Sequence, residues 1–252
     1  MTSLVHPSSF LSKNVKLGTN VTVGPFCNLD GNIEINDNTE LKSHIAISGN
    51  TTIGKNNIFY PFSYIGCDPQ DLKFEGEDSN LVIGDSNIFR ENVTVSKGTL
   101  DGGMLTKLGN NNLLMTGVHI AHDCQIGNKN IFVNQVTLGG HVNIMNNVVI
   151  GGLSAIIQFV TIGSHTMVGG MSGIDKNVLP FSLVIGNRAK LRGLNLVGIR
   201  RNNFTKDEID RIKELHMSIN SNNYKLNKNT SIDQFFIEYK SIINEKLGQI
   251  QE

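Results

Sequence analysis

One apolar position in every six is the feature that most restricts how this chain folds. Leu17, Val23, Leu29, Ile35, Leu41, Ile47, Ile53, Phe59 and Ile65 hold a single phase without interruption. Ile83, Phe89 and Val95 continue it. After a shift of one residue, Leu108 starts a run of twelve anchors that ends at Ile174. With 39% apolar residues in the chain, twelve consecutive matches have a chance probability on the order of 10⁻⁵.

A helix repeats near 3.6 residues and a strand at 2, so neither alone gives six. A short strand followed by a tight corner does. Three such units close a triangular coil, and coils stacked about 4.8 Å apart are joined by strand-type hydrogen bonds. The anchors then point into a narrow prism. Small or β-branched residues two places earlier, such as Val21, Cys27, Ile33 and Thr39, suit its half-buried pleat. Gly or Asn directly after an anchor is expected to take the left-handed conformation of the corner. A narrow interior also fits the 6% aromatic content and the absence of tryptophan. The expected class is mainly β: a parallel β-helix of hexapeptide repeats over residues 1–186, with a small C-terminal α-helical domain.

The repeat breaks twice. GCDPQDLKFEGEDSNLV, at about 66–82, bulges out as one coil's worth of residues, and GTLDGGMLTK, at about 98–107, forms a shorter Gly-rich insertion. Loops expelled from a solenoid are where such proteins often carry function. The phase fades after Pro180. Residues 187–252 read as a basic linker followed by the helical domain. Thr205 and Glu208 form a capping box before Ile209, Ile212 and Leu215, and Ser231 and Gln234 look like another before Phe235, Tyr239 and Ile242. Such a domain would cover the open end of the β-helix, where strand edges are otherwise unpaired.

Charge is balanced, 22 basic against 22 acidic residues, which argues against a nucleic-acid or membrane surface. Cys27, Cys67 and Cys124 are scattered and odd in number, as in a reducing compartment. No apolar stretch is long enough for membrane insertion, and a cytoplasmic location is expected.

Most of the chain carries little chemistry, and HIAHDCQIG, residues 119–127, stands out. His122 follows anchor Ile120 by two places and so faces out of the prism. By itself that describes a solvated corner histidine, a catalytic base or a metal ligand. His141, in GGH, lies one coil plus one residue beyond His122, which brings it close in the stack. His44, His165 and His216 read as surface or corner residues. From Lys176 to Lys206 there is no acidic residue but there are seven basic ones, a pattern that attracts phosphate or an acidic partner.

The hexapeptide phase, QDLK in the first insertion, HIAHDC, the later GGH and GLNLVGIRR occur in this order. Together they resemble the UDP-N-acetylglucosamine O-acyltransferases of lipid A biosynthesis, over nearly the whole chain. The resemblance implies a left hand for the β-helix and a homotrimer. It also implies direct transfer of an (R)-3-hydroxyacyl group from acyl carrier protein to the 3-position of UDP-N-acetylglucosamine, without cofactor or metal. It assigns His122 as general base, oriented by Asp123, with the Gly140 N–H facing the oxyanion; an imidazole suits proton transfer near neutral pH. Gln70, Asp71, Lys73, His119, His141, Gln158, Asn195 and Arg201 match substrate-binding positions. Met167 and Gly170 match the end of an inter-subunit groove that limits acyl length, and glycine there leaves it long.

The chain departs from the best-known members at Ile157, where they carry His, at Val197, where they often carry Glu, and at Asn202–Asn203, where their turn is more basic. These departures bear on acceptor recognition and keep open a 3-amino sugar nucleotide or another acceptor. A different reading takes His119, His122 and His141 as the zinc ligands of a γ-type carbonic anhydrase, which gathers three histidines at subunit interfaces. That reading fits the HIAHDC spacing less well and leaves QDLK and the helical tail without a role.

Overall fold

A computed structural model describes residues 3–220 and 225–249, with side chains described up to residue 218 and for 225–244. Most of its strands are two residues long and separated by four-residue corners, as the period of six requires. Equivalent strands pair in parallel at an offset of eighteen residues: Thr22 with Glu40, Gln125 with Asn143, Thr137 with Ala155. Three hexapeptides therefore make one coil, and the coils build a three-faced prism. The first face is an 11-stranded sheet. The second and third faces share one sheet because Asn28–Ile35 and Ala46–Ile53 run unbroken around the edge between them. This is the β-helix architecture expected from the repeat, and its anchors form one continuous buried core.

The corners differ from the expectation in one respect. Left-handed conformation falls on the third residue after the anchor: Asn20, Asn38, Asn56, Asn111, Asp123, His141, Phe159 and His165 all have φ between 52° and 66°. The residue directly after the anchor is small for another reason. At Gly109, an added Cβ would sit 2.5 Å from Oδ1 of Asn128. That oxygen accepts the Asn110 N–H of the coil before. The glycine makes room for an amide ladder that satisfies corner N–H groups. A second ladder runs inside the prism, where Asn57, Asn87, Asn112 and Asn130 each accept a backbone N–H from the next coil. Buried amides are tolerated because these bonds replace those lost to water.

Both insertions leave at the edge between the second and third faces. Ile58 pairs with Ile88 across thirty residues instead of eighteen. The first insertion thus adds twelve residues rather than the full coil expected, because Tyr64–Cys67 and Asn80–Ile83 continue as strands into it. In the second, a single turn at Leu100–Gly102 precedes the strand Leu105–Leu108.

Much of the expected linker is ordered. Ser182–Ile185 ends the first face, and Lys190–Leu194 folds back on it antiparallel. Helix α1, Leu196–Arg201, follows, then α2, Lys206–Asn220, and α3, Ser231–Gln249. Thr205 and Glu208 form the reciprocal capping box. The cap of α3 sits one residue earlier than the sequence implies, with Thr230 Oγ1 accepting the Asp233 N–H. Arg211 of α2 clasps buried Asp233 of α3 through two bonds of 2.8 and 2.6 Å, which hold its carboxyl down to about 2.

His165 and His216 are buried, contrary to the sequence reading. The helical domain packs over the edge that carries His165, whose ring stacks on Phe181 and meets Phe204 and Phe235 edge-on. His216 bonds the Pro180 carbonyl at 2.7 Å. Burial pushes His165 down to about 4, and its Nδ1 has no hydrogen-bond partner among the described residues. An unfolded histidine titrates near 6.5, so as pH falls the unfolded chain takes the proton first. The stabilisation is complete above about 6.5 and is lost as pH falls through about 4, at most about 3 kcal/mol. Chemical denaturation followed by circular dichroism is expected to show stability dropping across that window, and His165→Phe is expected to reduce the slope; an equal slope in both proteins contradicts the assignment.

Candidate active site

The eighteen-residue register stacks corner residues into columns. At the edge that bears both insertions, His122, Gly140 and Gln158 form one column, and Asp123, His141 and Phe159 form the next. Sequence positions far apart meet here because each occupies the same place in successive coils.

His122 Nδ1 lies 2.8 Å from Asp123 Oδ2. Asp123 is buried and its carboxylate accepts three further bonds from Thr99: N–H to Oδ1 at 3.0 Å, N–H to Oδ2 at 3.1 Å and Oγ1–H to Oδ2 at 2.6 Å. Its own N–H donates to Thr106 Oγ1. Burial raises the Asp123 carboxyl, but the bonds from His122 and Thr99 outweigh it and hold the group below its ordinary value. Asp123 is therefore an anion, and the proton of the neutral imidazole sits on Nδ1. That leaves the Nε2 lone pair facing the first insertion, 3.9 Å from Asp71 Oδ2. The His122 side chain is 12% exposed.

His141 stands edge-on to His122, with ring centroids 5.1 Å apart, and stacks on Phe159 at 4.4 Å. Its N–H donates to the His122 carbonyl. His119 lies on the second face just before the corner, and its Nδ1 is 2.7 Å from Thr94 Oγ1. Burial and then the neighbouring His122 lower its pKa. Lys73 reaches across to Asp101 of the second insertion at 3.4 Å, and a cavity of ≈ 330 Å³ between the insertions is lined by Asp71, Lys73, Glu77, Thr99 and Asp101. Gln70 and Gln158 are exposed beside this region. A larger cavity of ≈ 680 Å³ runs along the third face against α3 and contains none of the expected site residues.

The remaining expected residues stand elsewhere in a single chain. Asn195 caps α1 by accepting the Gly198 N–H, and donates to the His165 carbonyl at the edge between third and first faces. Arg201 ends that helix, exposed. Met167 lies on the first face, paired with Val149 and Leu183, and Gly170 at the edge that follows it. Three edges of the prism thus share the set.

Within one chain the three histidines do not gather into one group. Ligand-capable atoms of His122, Asp123 and His141 lie within 4.8 Å of one another, but His119 is outside that group, and the Asp123 oxygens are committed to Thr99 and His122. Sequence reasoning missed Thr99, Thr106 and Phe159. Phe159 shares its corner phase with Asp123 and His141, and stepping by eighteen would have found it. Thr99 sits twenty-four residues before Asp123, an offset that the insertion takes out of phase.

Comparison with known proteins gives concordant results. A profile of the family described as UDP N-acetylglucosamine O-acyltransferase, domain 2, matches residues 177–245. One of bacterial transferase hexapeptides (six repeats) matches residues 105–140. The chain is 38% identical to UDP-N-acetylglucosamine O-acyltransferase from Moraxella catarrhalis, covering 98% of this chain and 93% of that one, with a TM-score of 0.83. For the Francisella novicida UDP-N-acetylglucosamine acyltransferase the identity is 34%, the coverage 98% and 88%, and the TM-score 0.84. For the Campylobacter jejuni enzyme they are 34%, 92% and 93%, and 0.82.

The column geometry predicts an unusual effect at Gly140. An added Cβ would lie 2.5 Å from His122 Cε1 and 2.6 Å from Nε2. A side-chain ring swings aside more cheaply than backbone moves, so Gly140→Ala is expected to leave the melting temperature nearly unchanged while displacing the imidazole. Activity is expected to fall about 100-fold; a fully active variant contradicts the stacking argument.

Proposed function

This chain belongs to the UDP-N-acetylglucosamine O-acyltransferase family, and from that premise we propose that it moves an (R)-3-hydroxyacyl group from acyl carrier protein to the 3-hydroxyl of UDP-N-acetylglucosamine, the first step of lipid A biosynthesis. The observation that carries the reading is the His122–Asp123 pair, with Nδ1 tied to a buried anion and Nε2 facing the first insertion at the edge where both insertions emerge. The acceptor itself is the nucleophile. Its oxygen attacks the thioester carbonyl carbon while its proton passes to Nε2, and the imidazolium that forms is stabilised by Asp123. The Gly140 N–H, which makes no backbone hydrogen bond among the described residues, is the donor assigned to the oxyanion. Collapse breaks the carbon–sulfur bond, and the proton returns from His122 to the departing thiolate.

Asp71 and Lys73 present an acceptor and a cation toward the sugar nucleotide. His141, backed by Phe159, offers a ring nitrogen and a flat wall. Asn195, Arg201, Met167 and Gly170 stand away from this edge, so a site that includes them needs neighbouring copies, and the flat-sided prism suits a homotrimer about a threefold axis. The acid-free basic segment 176–206 is where an acidic carrier protein would be steered.

One observation favours a second acceptor. Ile157 is 51% exposed beside Gln158, so an apolar surface replaces a polar contact at the acceptor corner. A 3-amino sugar nucleotide, forming an amide, is the competing substrate.

Purified protein incubated with 3-hydroxyacyl carrier proteins and UDP-N-acetylglucosamine is expected to form the 3-O-acyl product at a rate unaffected by chelator. His122→Ala is expected to lower kcat about 1,000-fold. Exclusive amide formation with the 3-amino analogue moves the assignment to the second acceptor; carbon dioxide hydration without acyl transfer rejects both.

A further inference from the structure

We propose that the Gly-rich insertion at 98–107 is a carboxylate cradle for Asp123, and that Thr99 is a positioning residue of the acyl-transfer site. The inference rests on the His122 reading above. Thr99 supplies three of the bonds that Asp123 accepts, and its hydroxyl donates to Oδ2, the same oxygen that receives His122 Nδ1–H. The sequence around it fits this use. A Cβ at Gly102 would sit 1.9 Å from Asp123 Cγ, and one at Gly98 would sit 2.9 Å from Oδ1. Glycines on both sides thus let the loop close over the carboxylate. At the far end, Thr106 Oγ1 accepts the Asp123 N–H at 2.7 Å and fixes its left-handed backbone, φ 59°.

The first insertion holds the second in turn. Glu77 accepts the Leu100 N–H at 3.1 Å, and Ser79 Oγ donates to the Gly98 carbonyl. The residues that would meet the sugar nucleotide and those that orient the base therefore form one hydrogen-bonded unit.

Thr99 acts in two ways. It restrains the carboxylate so that the imidazole has one orientation, and it shares the charge on Oδ2, which moderates the pull on the His122 proton. Without the hydroxyl, Oδ2 is a stronger acceptor from His122, and the imidazolium is favoured.

Thr99→Val and Thr99→Ser test the proposal, with far-UV circular dichroism as the check on folding. The Val variant is expected to lose about tenfold in kcat with KM for UDP-N-acetylglucosamine nearly unchanged, and the acid limb of its kcat/KM profile is expected to move to higher pH. The Ser variant, which keeps the hydroxyl, is expected to recover most of both. A readout independent of turnover is the His122 Nδ1–H proton resonance, expected to move downfield in Val and to stay in place in Ser. If the wild-type chain transfers no acyl group, the functional reading fails and the resonance alone decides this inference. A Val variant with unchanged kcat and resonance overturns it. So does equal loss in Val and Ser with the pH profile unmoved, which marks a purely structural role.

Discussion

The structure depends on coil-to-coil hydrogen bonding at a fixed register of eighteen residues. Each two-residue strand makes too few bonds to persist alone, but its N–H and C=O groups are satisfied by the coils on either side, and the anchors between them share one apolar column. Register does more than stabilise. It places residues eighteen apart directly above one another, so a side chain at one corner is in contact with its counterparts in adjacent coils. His122, Gly140 and Gln158 are neighbours for the same reason that Ile120, Leu138 and Ile156 are.

A rigid scaffold of this kind separates shape from chemistry. The corner conformation is the same whether its third residue is Asn, Phe, Asp or His, so the backbone trace does not change where a functional side chain stands. The site then arises where the regular pattern is interrupted. Two insertions leave at the same edge as the histidine corner, because both follow strands of the second face, and together they build walls that a smooth prism lacks. Asp123 needs those walls. A buried carboxylate without donors is unfavourable by several kcal/mol, and the second insertion supplies them.

The fold was readable because one physical requirement, an apolar anchor facing the axis, recurs at a constant interval. The place of left-handed backbone within the corner was not readable. Glycine after an anchor suggests positive φ, while at Gly109 it makes room for an amide ladder from the next coil. Capping at Thr205 was legible from residue types alone, whereas at α3 two hydroxyl residues, Thr230 and Ser231, stand side by side and only the chain geometry chooses between them. His165 and His216 looked like surface residues because their burial comes from packing of the helical domain, which leaves no periodic trace in the sequence. His122 and Asp123 stand out through the HIAHDC stretch, whereas Thr99, which supports Asp123, is hidden by an insertion that breaks the period.

In the proposed reaction, a carboxylate held by the scaffold fixes one tautomer of His122 and so leaves a single nitrogen to take the proton of the acceptor hydroxyl. The most direct measurement is nitrogen-15 NMR of imidazole-labelled protein at a pH where His122 is neutral, with His122→Gln assigning the signals. The account predicts a protonated, pyrrole-type Nδ1 and an unprotonated, pyridine-type Nε2. The reverse assignment, with the proton on Nε2, would contradict it.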